Sequence, residues 1–415
     1  MRAGRVTLTT RGRCLLAGGL ATTACAVPLD ERDLLRVGAF VAVLPLLALG
    51  LAALSRRAVR VRRGVTPLRV PVGGVATVGL EVRGSATLGA LELVDTVPDA
   101  AGADGPPHFL ARPRREGTVV HYPLRPVLRG AHRIGPLVTH GVDPLGLAEF
   151  ARTAPGTDRL LVLPRVAALR GLPRALGTTE GAHGAGAAGS GQGRADVLVR
   201  PYRSGDELRR VHWRSTARHG ELMVRLEERP WKGGVTILLD RRAGAHRGHG
   251  VGASLEWAVS FAASACLHLM GRGEPVELVT DDGGSLPADG GATGTDAVLD
   301  ALAMLRPSAR TDLAGPPLPG SGDVLAVLGA TAPDELPALL ARCSGRGHAV
   351  LLDVTTWGAA RAPVFTPAGA PAPTAATAAA LRAAGWVVVL ATRGTPPQQV
   401  WDELVAAPAP HVGAR

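Results

Sequence analysis

The sequence predicts a multi-domain membrane protein. It has an N-terminal two-helix transmembrane hairpin, a small antiparallel β-sandwich-like domain, and a C-terminal α/β domain with a mostly parallel sheet. Three observations carry this reading. Two apolar runs lie close together near the N-terminus, with arginines outside both. The residues that follow are short β-branched stretches cut by Gly, Pro and Asp. From Val235 onward, strand-like and helix-like segments alternate, which is the pattern of a parallel sheet with crossover helices.

The hairpin is read over residues 1–63, with spans at about 14–29 and 34–54. Cys14 to Leu29 is apolar apart from small threonines, and Leu34 to Leu54 is interrupted only by Arg36. The second run is long enough for a hydrocarbon core of roughly 30 Å, and the first is barely so. Asp30-Glu31-Arg32-Asp33 supplies a polar turn between them. Arg2, Arg5, Arg11 and Arg13 precede the first run, and Arg56, Arg57, Arg60, Arg62 and Arg63 follow the second. Arginines at both outer ends predict a plasma (inner) membrane protein with both ends and the soluble domains in the cytoplasm. Gly and Ala in the first run suit close helix packing. A cleaved signal peptide is the competing reading, with Ala24-Cys25-Ala26 as its small-residue site.

Charge is distributed to match. The chain carries a formal net charge of +11. Residues 1–63 hold eleven arginines against three acids, so most of the excess sits beside the apolar runs, where it meets the lipid bilayer. A nucleic-acid partner is therefore not expected. The four cysteines form no Cys-x-x-Cys, so neither a disulfide framework nor a zinc site is indicated. They read as buried small hydrophobes.

Residues 64–170 read as the β domain. Val70 to Val82 is strand-like with Gly73-Gly74 as a turn, Leu91 to Val94 follows, and Pro98-Asp99 turns again. Val119 to Leu124 is a further strand, placed at an edge by Pro123 and Pro126. Two pieces read as specific turns: Arg129-Gly130-Ala131-His132 leading into Ile134-Gly135-Pro136-Leu137, and Asp143-Pro144-Leu145-Gly146-Leu147. Residues 171–195 read as a flexible Gly/Ala-rich loop. Residues 233–415 alternate: strands at 235–240, 276–280, 324–328, 349–354 and 386–391, and helices at 254–271, 296–306, 334–343, 374–384 and 396–407.

The segment 196–232 is the most charged. Ser204-Gly205-Asp206 is a turn and helix start, and residues from Glu221 to Glu228 alternate like a strand. Arg200, Tyr202, Gly205, Asp206, Arg209, Arg210, His212, Trp213, Arg218 and Arg225 form a candidate clasp or protein-binding surface. Its arginines suit bidentate pairing with carboxylates, and its Trp offers an apolar anchor. His212 with Asp206 could instead serve acid–base chemistry, the alternative of a membrane-bound hydrolase. No cofactor is expected.

With these residues in view, the chain resembles the bacterial family catalogued as "domain of unknown function 58". The family's series is matched by Arg200, Tyr202, Gly205, Asp206, Arg209 or Arg210, Val211, Trp213, Ala217, Arg218, Leu222, Val224 and Arg225, while Pro201 stands where the family has Glu. Arg129-Gly130, Asp143 to Leu147 and the hairpin match as well. The resemblance implies a von Willebrand factor type A-like fold for 233–415. It also implies partners: a MoxR-type AAA+ ATPase and a transglutaminase-like membrane protein. The expected role is a membrane-anchored scaffold or adaptor in assembly or maturation of client proteins, not an enzyme. That fold often holds a metal through Asp-x-Ser-x-Ser. Here Asp240-Arg241-Arg242-Ala243-Gly244 keeps the Asp and loses both serines, so the site reads as degenerate, leaving a metal-dependent adhesion module as the weaker alternative. Asp281, Asp282, His246 and His249 read as solvated loop residues.

Overall fold

A computed structural model of the chain describes residues 6–84, 90–103, 105–174, 176, 199–201, 216–218, 220, 222–225, 234–286, 292–319, 323–343, 347–358 and 373–408. The chain groups into two compact units. The first holds Met1–Ala167 with His249–Ala263 and Asp296–Arg306; the second holds Ala168–Gly248, Ser264–Thr295 and Pro307–Arg415.

The first unit opens on a short strand, β1 (Val6–Leu8), followed by helices α1 (Thr10–Leu29) and α2 (Arg32–Ala58). Both helices are long and apolar enough to cross a membrane. Each extends beyond the span expected from hydropathy, by residues that are mostly polar. The two pack through small residues. A Cβ on Gly19 would collide with the Ala42 backbone, and one on Gly38 with the Thr23 backbone. Glycine at both positions lets the two helix backbones approach closely. Asp30, at φ 47°, closes α1, and its N–H bonds the Val27 carbonyl.

Strands β2 (Arg60–Thr66), β3 (Arg69–Pro71), β4 (Ala76–Arg83), β5 (Leu91–Asp95), β6 (His108–Ala111), β7 (Thr118–Leu124), β8 (Gly130–Ile134), β9 (Leu137–Val142), β10 (Ala148–Ala154) and β11 (Asp158–Leu163) complete this part of the unit. They form three sheets, ordered β1-β10-β9-β5-β6, β2-β4-β7 and β3-β11-β8. Pairing is antiparallel except between β3 and β11. Strand β4 alternates buried Ala76, Val78, Leu80 and Val82 with outward residues, the period of a half-buried strand. The three sheets share one core that includes Val65, Val78, Leu80, Leu91, Leu93, Leu124, Ile134, Leu137 and Leu160. Strand β7 lies at a sheet edge, where its Pro123 is tolerated.

One expectation is corrected here. Residues 130–134 are a strand, β8, paired with β11, and not a turn. The turn comes immediately afterwards, at Gly135-Pro136. Gly135 has φ 104°, and a Cβ there would run into the Arg63 guanidinium.

Both outer ends of the helical pair run into the sheets without a linker. β1 pairs with β10 through Val6↔Phe150, Thr7↔Glu149 and Leu8↔Ala148. At the other end, Val59 alone separates α2 from β2, which pairs with β4 from Arg60↔Arg83 to Thr66↔Thr77. Side chains fasten the two junctions. Thr9 caps α1 by accepting from Gly12 N–H at 3.2 Å, and its hydroxyl donates to the Gly146 carbonyl at 2.7 Å. Thr9 N–H donates to the Leu147 carbonyl at 2.9 Å. The loop bearing those carbonyls is wound around Asp143, whose carboxylate accepts from the N–H groups of Leu145 (2.8 Å), Leu147 (2.6 Å) and Ala148 (2.5 Å). At α2, Arg152 Nη1 donates to the carbonyls of Arg56 (3.0 Å) and Val59 (2.5 Å), satisfying acceptors at the helix C-terminus.

Helices α3 (Ser254–Gly271) and α4 (Ala292–Met304) each contribute residues to the first unit. There Arg129, only 5% exposed, pairs with the Glu256 carboxylate and donates to the carbonyls of Leu302 (3.0 Å) and Leu305 (3.1 Å) at the end of α4. Arg69 pairs with Asp296 (3.1 Å) and Asp300 (2.7 Å).

The second unit is built on β14 (Val235–Leu239), β15 (Val276–Thr280), β16 (Ser285–Leu286), β17 (Asp323–Leu328), β18 (Gly347–Leu352) and β19 (Val387–Ala391), with helices α5 (Leu336–Leu340), α6 (Pro373–Ala383) and α7 (Pro397–Ala406). The sheet order is β16-β15-β14-β17-β18-β19, parallel except for β16. Strand β14 is buried at every position, as expected of a central parallel strand. Its core joins Leu238, Val279, Ala326, Leu328, Ala349 and Leu351 to Leu336 and Leu339 of α5 and Leu381 of α6. The helix expected over 334–343 is shorter: a 3₁₀ turn at Pro333–Glu335 leads into α5, and Cys343 lies beyond it. Two further strands, β12 (Val199–Pro201) and β13 (Met223–Arg225), pair antiparallel with each other.

Candidate functional site at the carboxyl edge of the parallel sheet

The chain leaves β14 in the middle of the sheet, places β15 on one side and returns with β17 on the other. The strand order therefore reverses between β14 and β17. In open α/β sheets, the crevice outside the carboxyl ends of the strands at such a point is where ligands bind. Residues 240–246, 281–284, 308–316 and 329–335 converge there.

Asp240 follows β14 directly and is fully buried. Its Oδ2 accepts from Gly329 N–H at 3.2 Å, and its Oδ1 from the backbone N–H of Arg242 at 3.0 Å. The side chain of Arg242, 3% exposed, folds back onto the same carboxylate, with Nε to Oδ1 at 3.0 Å and Nη2 to Oδ2 at 3.1 Å. Nη1 reaches Glu335 Oε2 at 2.8 Å and the Thr311 carbonyl at 3.1 Å. Nη2 also lies 3.3 Å from Thr331 Oγ1 and 3.4 Å from the Ala330 carbonyl. Burial alone would lower the Arg242 pKa, but its hydrogen bonds to Asp240 and Glu335 outweigh that and raise it.

Two more arginines fill the edge. Arg241 bridges the fully buried Asp281 (3.2 Å) and Asp282 (2.6 Å). Burial pushes Asp282 up, yet the Thr280 hydroxyl, the Gly284 N–H and Arg241 together hold it below the usual carboxylate range. Arg342 is 3% exposed and donates to the carbonyls of Asp281, Leu313 and Pro316. Burial lowers its pKa.

His246 is buried, and its Nε2 lies 2.9 Å from the Asp240 carbonyl, so the neutral ring donates there. This corrects the solvated reading of His246 and of Asp281; His249 is exposed. Burial lowers the His246 pKa, with the Asp240 carboxylate opposing. The unfolded chain then binds a proton that the folded chain resists. Stability from this group is present above about pH 6.5 and is lost as the pH falls through the lowered folded value. Urea unfolding at about pH 7.5 and about pH 5.5 should show the wild type losing more stability on acidification than His246→Gln. Equal losses in the two proteins would refute this assignment.

The metal implied by the von Willebrand factor type A resemblance does not fit these residues. Arg242 stands where the first serine of the motif would be, and its guanidinium takes the oxygens a cation would use. Among the described residues, no group of three or more His, Cys, Asp or Glu could hold a metal ion.

Of the segment singled out for its charge, 199–201, 216–218, 220 and 222–225 are described. Tyr202, Gly205, Asp206, Arg209, Arg210, His212 and Trp213 lie outside the described residues, as does nearly all of 171–195. Arg200 and Arg225 lie on β12 and β13, where Arg200 pairs with Val224 and Arg225 with Val199, so the two ends of the segment meet in one ladder. Arg218 is exposed on a helical turn. Sequence reasoning flagged Asp240 and the adjacent arginines but missed Glu335, Thr331 and Arg342, whose contribution depends on contacts far along the chain.

No curated protein and no solved structure matches the chain. Residues 198–316 match the family described as "Protein of unknown function DUF58", a stretch running from β12 through Asp240, Arg242 and Asp281 to Pro316, which supports the resemblance drawn from the charged segment.

Proposed function

We propose that this protein is a membrane-anchored scaffold or adaptor. It would present its soluble units on the cytoplasmic side of the plasma membrane to a MoxR-type AAA+ ATPase, with a transglutaminase-like membrane protein as a further partner. The observation that carries this reading is the jointless attachment of the helical pair to the β sheets. β sheets continuous with the helical pair through β1 and β2 suit a platform held at a fixed orientation to the membrane. The same feature favours a retained hairpin over a cleaved signal peptide, because cleavage after Ala26 would remove β1 and the Thr9 cap. The arginines at both outer helix ends favour the cytoplasmic orientation. The α/β unit, read as von Willebrand factor type A-like, is the proposed partner-binding module.

The test is a native-membrane pull-down of tagged full-length protein with ATP or ADP, read by mass spectrometry. The expected result is nucleotide-dependent enrichment of an AAA+ ATPase, lost in Asp206→Ala or Trp213→Ala variants that keep the wild-type melting temperature. Absence of any ATPase in both nucleotide states would refute the adaptor reading.

A further inference from the structure

The crevice at the sheet's reversal point is already filled by a charged group of the chain itself. Six oxygens surround the Arg242 guanidinium: both of Asp240, Glu335 Oε2, Thr331 Oγ1, and the Thr311 and Ala330 carbonyls. Oxygen-only surroundings of this number are what hard divalent cations take, at 2.0–2.6 Å with water completing the shell. Three of the six belong to two carboxylates, Asp240 and Glu335, so one guanidinium leaves the pair undercompensated and a divalent ion would balance it.

The cage does not depend on the guanidinium for its shape. Gly329 N–H and Arg242 N–H hold the Asp240 carboxylate. Ser308 N–H bonds the Arg241 carbonyl at 2.7 Å, Ala243 N–H the Ser308 carbonyl at 2.8 Å, and Ala330 N–H the Ala245 carbonyl at 2.7 Å. These backbone bonds fix the loops that carry the oxygens whatever side chain occupies position 242.

We infer that Arg242 is a built-in cation: its side chain takes the place of a divalent metal ion, so the second unit is metal-independent, and the oxygens around it are a latent divalent-cation site opened by removing the guanidinium. A built-in charge cannot be lost to chelation or exchanged, so the crevice is held in one liganded-like state. This inference concerns the second unit alone and stands whether or not an ATPase is the partner.

The experiment uses the full-length protein in detergent, with melting followed by tryptophan fluorescence. Wild type should melt at the same temperature in EDTA, Mg²⁺ and Ca²⁺. Arg242→Ala should melt about 10 °C lower in EDTA, because it leaves the fully buried Asp240 carboxylate without its cation. Ca²⁺, whose coordination tolerates a wider cage than Mg²⁺ does, should restore at least half of that loss. Guanidinium ion at low, non-denaturing concentration should restore part of it, and an equal concentration of NaCl should not. A divalent-cation shift in wild type, an unchanged Arg242→Ala, or an Arg242→Ala rescued by neither ion would each overturn the inference. If Arg242→Ala does not fold, Arg242→Lys serves: it keeps a charge but loses the fork of donors, and should melt lower than wild type while gaining no stability from Ca²⁺.

Discussion

Replacing Arg63 by alanine is expected to cost about 3–5 kcal/mol of the first unit's stability, a fall of about 10 °C in melting temperature. Arg63 lies on β2 with a side chain only 7% exposed, and joins three parts of the β domain. Its Nη1 pairs with Asp95 at 3.0 Å, its Nε with Asp158 at 2.6 Å, and its Nη2 donates to the Gly156 carbonyl at 3.0 Å. Asp95 is fully buried, so removing the guanidinium strands a carboxylate away from water. Its other supports are the Thr96 N–H, which donates to Oδ1 at 3.0 Å, and the Tyr122 hydroxyl, which donates to Oδ2 at 2.7 Å and whose own pKa is raised by burial and by that carboxylate. The cost lies in the orphaned charge more than in the lost contacts. Adding Asp95→Asn to Arg63→Ala should therefore recover much of the loss. Thermal melts of the single and double variants decide the matter: if Arg63→Ala melts within about 2 °C of wild type, the cluster is not a buried ion-pair network in solution.

Asp143→Ala is expected to cost about 3 kcal/mol, because one carboxylate serves three backbone donors and charge-assisted bonds of this kind contribute about 1.5–3 kcal/mol each, not additively. Its effect should reach α1. Asp143 shapes the loop whose Gly146 and Leu147 carbonyls receive Thr9, so loss of the carboxylate loosens the seat of α1. A double-mutant cycle with Thr9→Ala measures this. Thr9→Ala should cost about 1 kcal/mol in wild type and much less in Asp143→Ala. Strict additivity would show that the cap and the loop are independent. Asp143→Asn, which keeps one carbonyl oxygen, should fall between wild type and Asp143→Ala.

Both predictions rest on residues that the sequence made partly visible. The Asp143-Pro144-Leu145-Gly146-Leu147 run reads as a turn because Asp, Pro and Gly each favour one locally, and local chemistry is legible without a partner. The hairpin and the βα alternation were legible for the same reason, since hydrophobic period is a property of neighbours along the chain. Strand β2 was not. Three of its first four residues are arginines, and beside an apolar helix they read as a topogenic flank, although Val61 and Val65 lie on its inward face. Strand β1 has only three residues, too few for any period to show. Strand β8 begins at Gly130, where glycine suggests a turn, but the turn falls five residues later, at Gly135. At the crevice, Asp240 and its arginines were conspicuous, but Glu335 lies 93 residues from Arg242, and nothing local announces such a pairing. His246 read as solvated because its neighbours are glycines; the sheet edge that buries it is assembled from elsewhere.

The pairing of β1 with β10 also fixes an order of events. Val6 to Leu8 leave the ribosome before either apolar helix, yet their partners at Ala148 to Phe150 are made long afterwards, with the whole hairpin in between. Closing so distant a contact carries a large loop entropy and is slow. Both helices are therefore made while the first strand still waits for its partner. Of the five strands of that sheet, the edge strand β1 is made first and must wait longest, because its partner β10 is the last of them to be made.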